Sequence, residues 1–474
     1  MVWSAIQKYS TMSITFISDI ILARLLMPED YGAIGMLLIF MSLAEVFIDA
    51  GFGSALIQKK NPTQTDYSTV FYFNIVMSVI LYGVLYLSAP AIANFYRMPI
   101  LCKVLRVQGL ILFIYAFNII QRNQLRKNLK FKVLSKVTIT TSIISLMVTV
   151  ILAYMGFGVW ALVAQYFMGA LIPCTFFWLT MKWRPSWVFS WTSFRELFGF
   201  GSYMFFTHLF ITFSQRITGL LVGRWYNSAT MGYYTKASAF SKSATLSIAG
   251  VMISTTYPLY ASVQDDRERL INMVKRITST LAYLTIPMLC VLILIAKPLI
   301  VFLYSDRWLP SAPYFQILCI GGMAGCLQSV NQQTIAAIGK SKVFFTWTIV
   351  KEIVGIASQF LGLIVWGIWG LLVGKVFASW FSYIVNISLV SKHVGYKNYQ
   401  QLIDLSPIFL ASAISFAFGY VVSGWLGLRL YVDALVKVVL FATIYIGWSL
   451  VFKPEPYAYA LSIVRTLKSK KSNK

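Results

Sequence analysis

The chain consists of long apolar stretches joined by short polar connections from one end to the other. Apolar runs of about 18 residues or more recur, and each could cross a hydrocarbon layer of about 30 Å as a helix. A β-barrel is disfavoured, because the runs lack the period-two alternation of barrel strands. The pattern predicts about fourteen transmembrane helices, at residues 3–27, 31–57, 67–89, 101–121, 133–154, 157–181, 194–225, 230–260, 277–304, 313–337, 344–366, 368–391, 407–426 and 430–452.

Composition agrees with a membrane protein along the whole chain. The 474 residues are 58% hydrophobic and 12% charged, with a mean hydropathy of +0.72, whereas soluble domains are about half apolar and about a quarter charged. No polar stretch is long enough for a separate soluble domain, and the first apolar segment lacks the cleavage site of a signal peptide. We therefore expect an all-α integral membrane protein.

Lysine and arginine are distributed unevenly between the two sets of connections. The net charge is +25, and most basic residues follow the even-numbered predicted spans. Because cytoplasmic loops carry the positive charge, this asymmetry predicts a multi-pass protein with both termini in the cytoplasm. Such loops attract membrane lipids with anionic headgroups, so nucleic acid is not expected as a partner. The basic residues of these connections and the tail include Lys59, Lys60, Arg122, Arg126, Lys127, Lys182, Arg184, Arg195, Arg267, Arg269, Lys340, Lys392, Lys453, Lys470 and Lys471.

The sequence also repeats itself. The segment LARLLMPEDYG resembles VGRWYNSATMG, so that Arg24 matches Arg224 and Gly32 matches Gly232 at an offset of 200. The matches are ordered along the chain and fall at equivalent connections, which indicates two copies of one unit. At offsets of 208 and 209, Pro90, Tyr96, Gln108, Asn123, Gln124 and Lys132 match Pro298, Tyr304, Gln316, Asn331, Gln332 and Lys340, and 158–163 matches 367–372.

The repeat predicts the domain organisation. We expect an N-terminal six-helix lobe at 1–181, a second six-helix lobe at 182–391, two additional helices at 392–452 and a basic cytoplasmic tail at 453–474. Since six is even, both copies face the same way across the membrane. Parallel repeats of this kind suit a transporter that works by alternating access.

Three acidic residues lie inside predicted spans, where an ionisable group is costly and usually faces the bundle interior or a wet cavity. Glu45 and Asp49 are one turn apart and share a helix face with Ser42. Asp19 lies well inside the first span. Two interpretations are open for this set: ion coupling or gating, and structural bridges to basic residues on neighbouring helices.

Basic residues dominate the interior of the seventh and eighth spans. His208, Thr212 and Arg216 lie at i, i+4 and i+8, and Lys236 and Lys242 follow in the next span. The apolar parts of these two spans contain no acid. An unpaired basic cavity is expensive unless it meets an anion, and a diphosphate suits arginine and lysine. These positions are therefore expected to bind an anionic substrate.

Three of the candidate substrate-binding residues have structural alternatives. Arg24 and its repeat mate Arg224 lie near the outer ends of their spans, where they would contact a departing substrate or serve as packing features of the repeat. His208 would contact substrate or be a hydrogen-bonded core residue.

No grouping of residues predicts catalysis. Only His208 and His393 are histidines, so a metal triad is implausible. No Walker A motif is present, and the five cysteines show no paired spacing. The long outer loop that a sugar polymerase usually needs is also missing. We expect no enzyme activity, no metal and no cofactor.

Several motifs carry a resemblance to a known family. The motifs are ILARLLMPEDYGAIGMLLIFMSLAEVFIDAGFGSALIQKK at 21–60, STVFYFN at 68–74, FGVWALVAQ at 157–165, WRPSW at 183–187, MGYYTKA at 231–237 and YPLYASVQDD at 257–266. Together they resemble the polysaccharide-exporter branch of the multidrug/oligosaccharidyl-lipid/polysaccharide (MOP) superfamily. The resemblance is to Wzx-type lipopolysaccharide and exopolysaccharide flippases, including colanic-acid-type exporters, and it covers nearly the whole chain.

The resemblance implies a fourteen-helix, two-lobed, MATE-like transporter fold with a central cationic cavity. The implied substrate is an undecaprenyl-diphosphate-linked oligosaccharide, moved across the bacterial inner membrane by ion coupling rather than ATP. On this interpretation Arg216, Lys236 and Lys242 contact the diphosphate. Polysaccharide polymerase and chain-length proteins are implied as partners.

Two alternatives are left open. A cation-coupled multidrug antiporter of the same superfamily would carry a cationic cargo and should have an acidic cavity. A membrane-embedded glycan polymerase or transferase would need catalytic acids or a histidine on long loops. The basic residues of the seventh and eighth spans favour the flippase over both.

Overall fold

The computed structural model describes residues 2–261, 263 and 266–458, and all of the regular secondary structure in these residues is helical. The Gln264–Asp265 pair and most of the predicted basic tail, 459–474, lie outside the described residues. The helices are α1 Val2–Leu25, α2 Pro28–Asp49, α3 Phe52–Gln58, α4 Gln64–Phe95, α5 Ile100–Gly109, α6 Ile111–Lys127, α7 Phe131–Tyr154, α8 Val159–Thr180, α9 Trp191–Trp225, α10 Ser228–Ala261, α11 Arg267–Leu294, α12 Ala296–Tyr304, α13 Ser311–Ala337, α14 Ser341–His393, α15 Asn398–Leu426 and α16 Leu430–Phe452, with a 3₁₀ turn at Asp306–Trp308.

The helices have the length and apolarity of membrane spans. Among the described residues, 10 helical stretches are long and apolar enough to cross a bilayer. One of them, α14, is broken at Trp366 and Gly367, which leave helical geometry in its middle. The all-α, multi-pass prediction is confirmed, and the count of fourteen crossings stays a prediction.

One predicted span is divided by a break that has a clear local cause. The apolar run at 31–57 forms α2 and α3, because Ala50 and Gly51 take left-handed backbone angles, with φ of 43° and 77°. A Cβ added to Gly51 would lie 2.0 Å from the carbonyl oxygen of Gly201 on α9. Only glycine fits this close backbone approach at such an angle.

The chain divides into two compact units, Met1–Thr235 and Lys236–Lys474. In the first unit α2 packs against α4, α6, α8 and α9, while α1 packs on α7. In the second unit α13 packs against α11 and α14, and α15 packs against α11 and α16. The domain boundaries predicted at 181, 391 and 452 were based on the sequence repeat, whereas these two units are defined by compactness. The predicted boundaries therefore stay a prediction.

Backbone conformation supports the repeat at two pairs of equivalent positions. Gly158, which precedes α8, has φ 52° and ψ −125°, and its repeat mate Gly367 at the break in α14 has φ 61° and ψ −140°. Arg97 and Ser305 follow the matched tyrosines and both have positive φ, 53° and 97°. Since non-glycine residues seldom adopt such angles, the shared exception at Arg97 and Ser305 is informative.

The matched glycines Gly32 and Gly232 make reciprocal close contacts within the first unit. A Cβ on Gly32 would lie 1.8 Å from the carbonyl oxygen of Ser228, and a Cβ on Gly232 would lie 1.9 Å from that of Pro28. The starts of α2 and α10 therefore touch backbone to backbone. Small residues that permit such contact are typical of helix packing in membranes. Because lipid tails are as apolar as the helices, the hydrophobic effect does not drive helix association there, and close packing contributes instead.

Candidate functional site

The candidate site is a cavity of about 290 Å³ in the first compact unit. It opens between α2 and α9, and α6 contributes to its wall. Its size is near the lower end of small-molecule sites, about 300–1,000 Å³. Its lining is rich in polar and charged side chains and consists of Ser42, Glu45, Val46, Asp49, Gly51, Tyr115, Phe205, His208, Thr212, Gln215 and Arg216.

Two polar stripes predicted from helical spacing meet in this cavity. Ser42, Glu45 and Asp49 present one face of α2 to it, and His208 and Arg216 lie on the facing stripe of α9. Residues three or four apart lie on the same side of a helix, so each stripe points in one direction. The packing of α2 against α9 brings the two stripes together.

The cavity has both signs of charge. Glu45 interacts electrostatically with Arg216 of α9 and Arg122 of α6. Asp49 interacts with His208 and Arg126, and its Oδ1 accepts a hydrogen bond from the N–H of Gly53 at 3.2 Å. The expectation of a cavity with basic residues and no acids is therefore wrong. His208 and Arg216 of the predicted seventh span face acids that belong to α2. The spacing of residues within one helix gives no information about such contacts.

The opposite charges do not close onto each other. Within the described residues, neither carboxylate of the cavity forms a direct ion pair with Arg216 or His208. The side chains of His208 and Arg216 are exposed to the open cavity. The guanidinium and imidazole therefore remain accessible to a ligand that carries negative charge.

Two arginines of α6 interact electrostatically with the acids of the cavity and were not among the predicted site residues. Arg122 and Arg126 were assigned to a cytoplasmic connection, but α6 continues through them to Lys127. Both have exposed side chains, and Arg126 interacts electrostatically with Tyr115 and Asp49. Their spacing of four residues, on one helix face, was the available signal.

Asp19 borders the same region through Tyr166 of α8. The Tyr166 hydroxyl interacts electrostatically with Arg216, Glu45 and Asp19. The three acids predicted for coupling thus lie around one part of the first unit, together with two of the predicted substrate-binding residues. Among the described residues, no group of three or more histidine, cysteine or acidic side chains could hold a metal ion.

Lys236 has a different environment, in the second unit. Its side chain is 1% exposed, and its ammonium lies 5.0 Å from the ring centroid of Tyr304 and 5.5 Å from that of Trp308. Phe240, one turn further along α10, stacks on Phe315 at 4.7 Å. This part of α10 is thus a packing surface, and cation–π contacts stabilise the buried lysine.

The remaining predicted basic residues are exposed, but in different settings. Lys242 has an exposed side chain on α10, and Arg24 has one at the end of α1. Arg224 donates from Nη1 to the carbonyl oxygen of Phe95 at 2.6 Å and lies over that residue's ring. Because Phe95 ends α4, Arg224 satisfies a free carbonyl at a helix C-terminus.

An ion-pair cluster holds the start of α9 on the predicted cytoplasmic side. Lys59 Nζ lies 3.0 Å from Asp66 Oδ2 and 2.9 Å from Glu196 Oε2. Burial alone would lower the pKa of Lys59, but the hydrogen bonds to the two carboxylates raise it above 10.5. Burial opposes ionisation of Asp66 as well, yet hydrogen bonds from Thr63 and Lys59 bring its pKa below 3.8.

Comparisons with known proteins bear on the family and the fold of the chain. The profile of a family described as polysaccharide biosynthesis protein matches residues 21–313. The teichuronic acid biosynthesis protein TuaB of Bacillus subtilis is 27% identical over 354 residues, which are 73% of this chain and 72% of that protein.

Solved structures share the fold at low sequence identity. The lipid II flippase MurJ, in an inward closed conformation, has a TM-score of 0.78 and 16% identity, over 95% of this chain and 99% of MurJ. An inward-facing multidrug resistance MATE family transporter of the MOP superfamily has a TM-score of 0.63 and 16% identity, over 81% and 94%. The predicted MATE-like transporter fold is confirmed. The chain belongs to the polysaccharide biosynthesis protein family, whose profile spans more than half of its length.

Proposed function

We propose that the protein is a flippase for an undecaprenyl-diphosphate-linked oligosaccharide, an intermediate of lipopolysaccharide O-antigen or exopolysaccharide. It would move this lipid from the cytoplasmic to the outer leaflet of the bacterial inner membrane by alternating access, without changing any covalent bond. Both termini would lie in the cytoplasm. Family membership and the fold shared with a lipid II flippase support the proposal.

One observation carries the proposal to the level of residues. Arg216 and His208 line an open cavity and form no direct ion pair with the facing carboxylates. An arginine guanidinium can donate two parallel hydrogen bonds to phosphate oxygens. We assign Arg216 to the diphosphate, with His208 beside it and Arg122 and Arg126 on the α6 side.

We assign the acids of the cavity to the coupling of ion or proton movement to transport. A diphosphate that enters beside Glu45 and Asp49 would be repelled unless those carboxylates were neutralised by a proton, a cation or the nearby arginines. Their occupancy by a proton or cation would then depend on the substrate. Asp19, close to Tyr166, belongs to the same proposed coupling group.

The other predicted substrate contacts fall into two groups, according to whether their side chains are exposed or already bound to protein groups. Lys242 and Arg24 have exposed side chains and stay in the proposal as secondary contacts. Lys236 and Arg224 are assigned to packing and helix capping, because aromatic rings and a carbonyl oxygen already surround them. Polymerase and chain-length proteins remain proposed partners.

A cation-coupled multidrug antiporter is a second candidate, because Glu45 and Asp49 line the cavity and would attract a cationic cargo. A purified protein in liposomes distinguishes the two. The substrate is a prenyl-diphosphate-linked disaccharide with a fluorophore on the sugar, and dithionite added outside destroys only the accessible fluorophore. A flippase increases the accessible fraction with time, and the lipid recovered afterwards is chemically unchanged.

Matched variants test the site in the same assay. Arg216→Ala should slow flipping at least ten-fold, while Arg269→Ala, an exposed arginine of α11, should flip at the normal rate. Normal flipping by Arg216→Ala would remove the cavity from the proposal. Transport of a cationic dye instead of the lipid would favour the antiporter.

A further inference from the structure

The segment between α8 and α9, residues 181–190, is not helical and exposes large aromatic side chains. It is called the linker here. Trp187 is 94% exposed, and Trp191, the first residue of α9, is 66% exposed. Phe189 and Val188 are also exposed. Exposed tryptophans on a membrane protein belong to the interfacial belts at the headgroup level.

The linker lies along the first turns of α4 and is fixed there by hydrogen bonds. The Gln64 Nε2 donates to the carbonyl oxygen of Arg184 at 2.6 Å, and the N–H of Ser186 donates to Ser68 Oγ at 3.0 Å. The N–H of Ser190 donates to Thr69 Oγ1 at 3.1 Å. Non-helical backbone is tolerated near lipid only where its polar groups are satisfied, and α4 supplies these partners.

The depth of the linker follows from its position on α4. Trp187 stacks on Tyr72 with ring centroids 5.8 Å apart and planes at 27°. Tyr72 is eight residues after Gln64, the first residue of α4, which is about 12 Å along a helix. With 32 residues, α4 is longer than a helix needs to cross the hydrocarbon layer. Trp187 lies well short of the middle of this helix, where we expect the boundary of the bilayer.

The charge of the linker is positive. Lys182, Arg184 and Arg195 lie in or next to it, while the neighbouring acids Glu196 and Asp66 are both bound to Lys59, at 2.9 Å and 3.0 Å. Arg184 is held by the carbonyl oxygens of Met181 and Trp183. Lys182 and Arg195 have exposed side chains. Basic residues next to an aromatic interfacial segment attract anionic lipid headgroups.

We propose that the linker is a binding surface for anionic phospholipids of the predicted cytoplasmic leaflet. Trp187 and Trp191 insert at the boundary of headgroups and acyl chains, while Lys182 and Arg195 bind the phosphate groups. The linker thus fixes the depth at which the first unit sits in the bilayer. This inference stands independently of the substrate that the protein transports.

The depth is tested with a fluorescent amino acid incorporated at one position of the full chain in nanodiscs. Position 187 should be quenched most by lipids with a nitroxide near the headgroup. Ile80, 52% exposed near the middle of α4, should be quenched most by a nitroxide near the chain end. Leu129, 71% exposed in the connection after α6, should be quenched by aqueous iodide. Iodide quenching at 187 as strong as at 129 would overturn the proposal.

The lipid specificity is tested by native mass spectrometry with dioleoylphosphatidylglycerol as the probe. The variant Lys182→Gln/Arg195→Gln should retain it more weakly, by about five-fold for each basic residue removed. The control Lys130→Gln/Lys136→Gln makes the same charge change at two exposed positions at the start of α7. An equal loss in both variants would show only general attraction to a basic protein and would overturn the site. Equal retention by the linker variant and the unchanged protein would overturn it as well.

Discussion

Two basic side chains on consecutive helices, Arg216 of α9 and Lys236 of α10, have opposite surroundings. Arg216 is exposed to a cavity that it shares with Glu45. Lys236 is 1% exposed and lies against the rings of Tyr304 and Trp308. A basic side chain thus meets an open polar space in the first unit and aromatic rings in the second.

The difference shows how each environment compensates a cation inside a membrane protein. The face of an aromatic ring attracts a cation, and two such rings lie close to the buried ammonium of Lys236. Arg216 instead keeps access to a cavity with carboxylates at a distance, where an anion can approach. A cation with room around it is the better candidate for binding substrate.

Replacing Lys236 should have the largest effect, and the effect should be on folding. Lys236→Ala removes a fully buried side chain from between Tyr304 and Trp308, and comparable core truncations cost about 3 kcal/mol. Thermal unfolding in detergent should show a clear loss of stability. Lys242→Ala, six residues further on α10 but exposed, should change stability by less than about 0.5 kcal/mol. Lys236→Ala with normal stability but no transport would reverse the assignment.

Replacing Arg216 should instead affect transport and leave stability nearly unchanged. Arg216→Gln removes charge-assisted hydrogen bonds to a diphosphate, each worth about 1.5–3 kcal/mol, so flipping should fall about ten- to a hundred-fold. Arg224→Gln on the same helix is the matched control. It breaks the bond to Phe95 and should lower stability by about 1 kcal/mol with transport intact. If Arg224→Gln proved the more damaging to flipping, the proposed site would be at the wrong end of α9.

Helical spacing predicted part of the site, because the positions of one stripe depend only on local geometry. The stripes of Glu45 on α2 and of Arg216 on α9 both face the cavity, as the spacing indicated. Their meeting could not be predicted, because the packing of helices distant in the chain is a tertiary property. The same limit applies to Lys236, whose aromatic partners come from a later helix and from the 3₁₀ turn after it.

The fold was predicted more fully than the site. Apolar runs, the charge asymmetry and the repeat are all properties of the sequence pattern, and the all-α membrane fold follows from them. The break after Asp49 was missed because an apolar run continues across it, although Ala50 and Gly51 supply the turn. Arg122 and Arg126 were assigned to a connection because charge was expected to end a span, whereas α6 continues as a helix through both to Lys127.

The α6 arginines give a smaller effect that tests whether the cavity extends to them. Arg122→Gln removes an exposed cation that interacts with Glu45, and exposed charge interactions are worth about 0.2–1 kcal/mol. Flipping should therefore fall by about two- to five-fold. Lys130→Gln in the following connection should leave the rate unchanged. A loss as large as that of Arg216→Gln would instead place Arg122 in direct contact with the substrate.

The smallest expected effect concerns the cluster that holds the start of α9, the helix carrying Arg216. Asp66→Asn loses the ion pair with Lys59 and should lower stability by about 0.5 kcal/mol at pH 7. Because folding lowers the pKa of Asp66 below 3.8, its carboxylate stabilises the folded state above that value. The contribution disappears as the pH falls through the folded pKa.

The difference between Asp66→Asn and the unchanged protein should therefore be constant from pH 5 to pH 8 and decline as the pH falls below 3.8 and through the lowered folded pKa. Glu196→Gln is the matched control, because it removes the other, 59% exposed partner of Lys59 and should have less effect. Thermal unfolding in detergent across this range measures both. A difference that persisted in acid would mean that the Asp66 side chain acts through packing rather than charge. The cluster would then stabilise the start of α9 through packing alone. Its effect on the helix that carries Arg216 would not depend on pH.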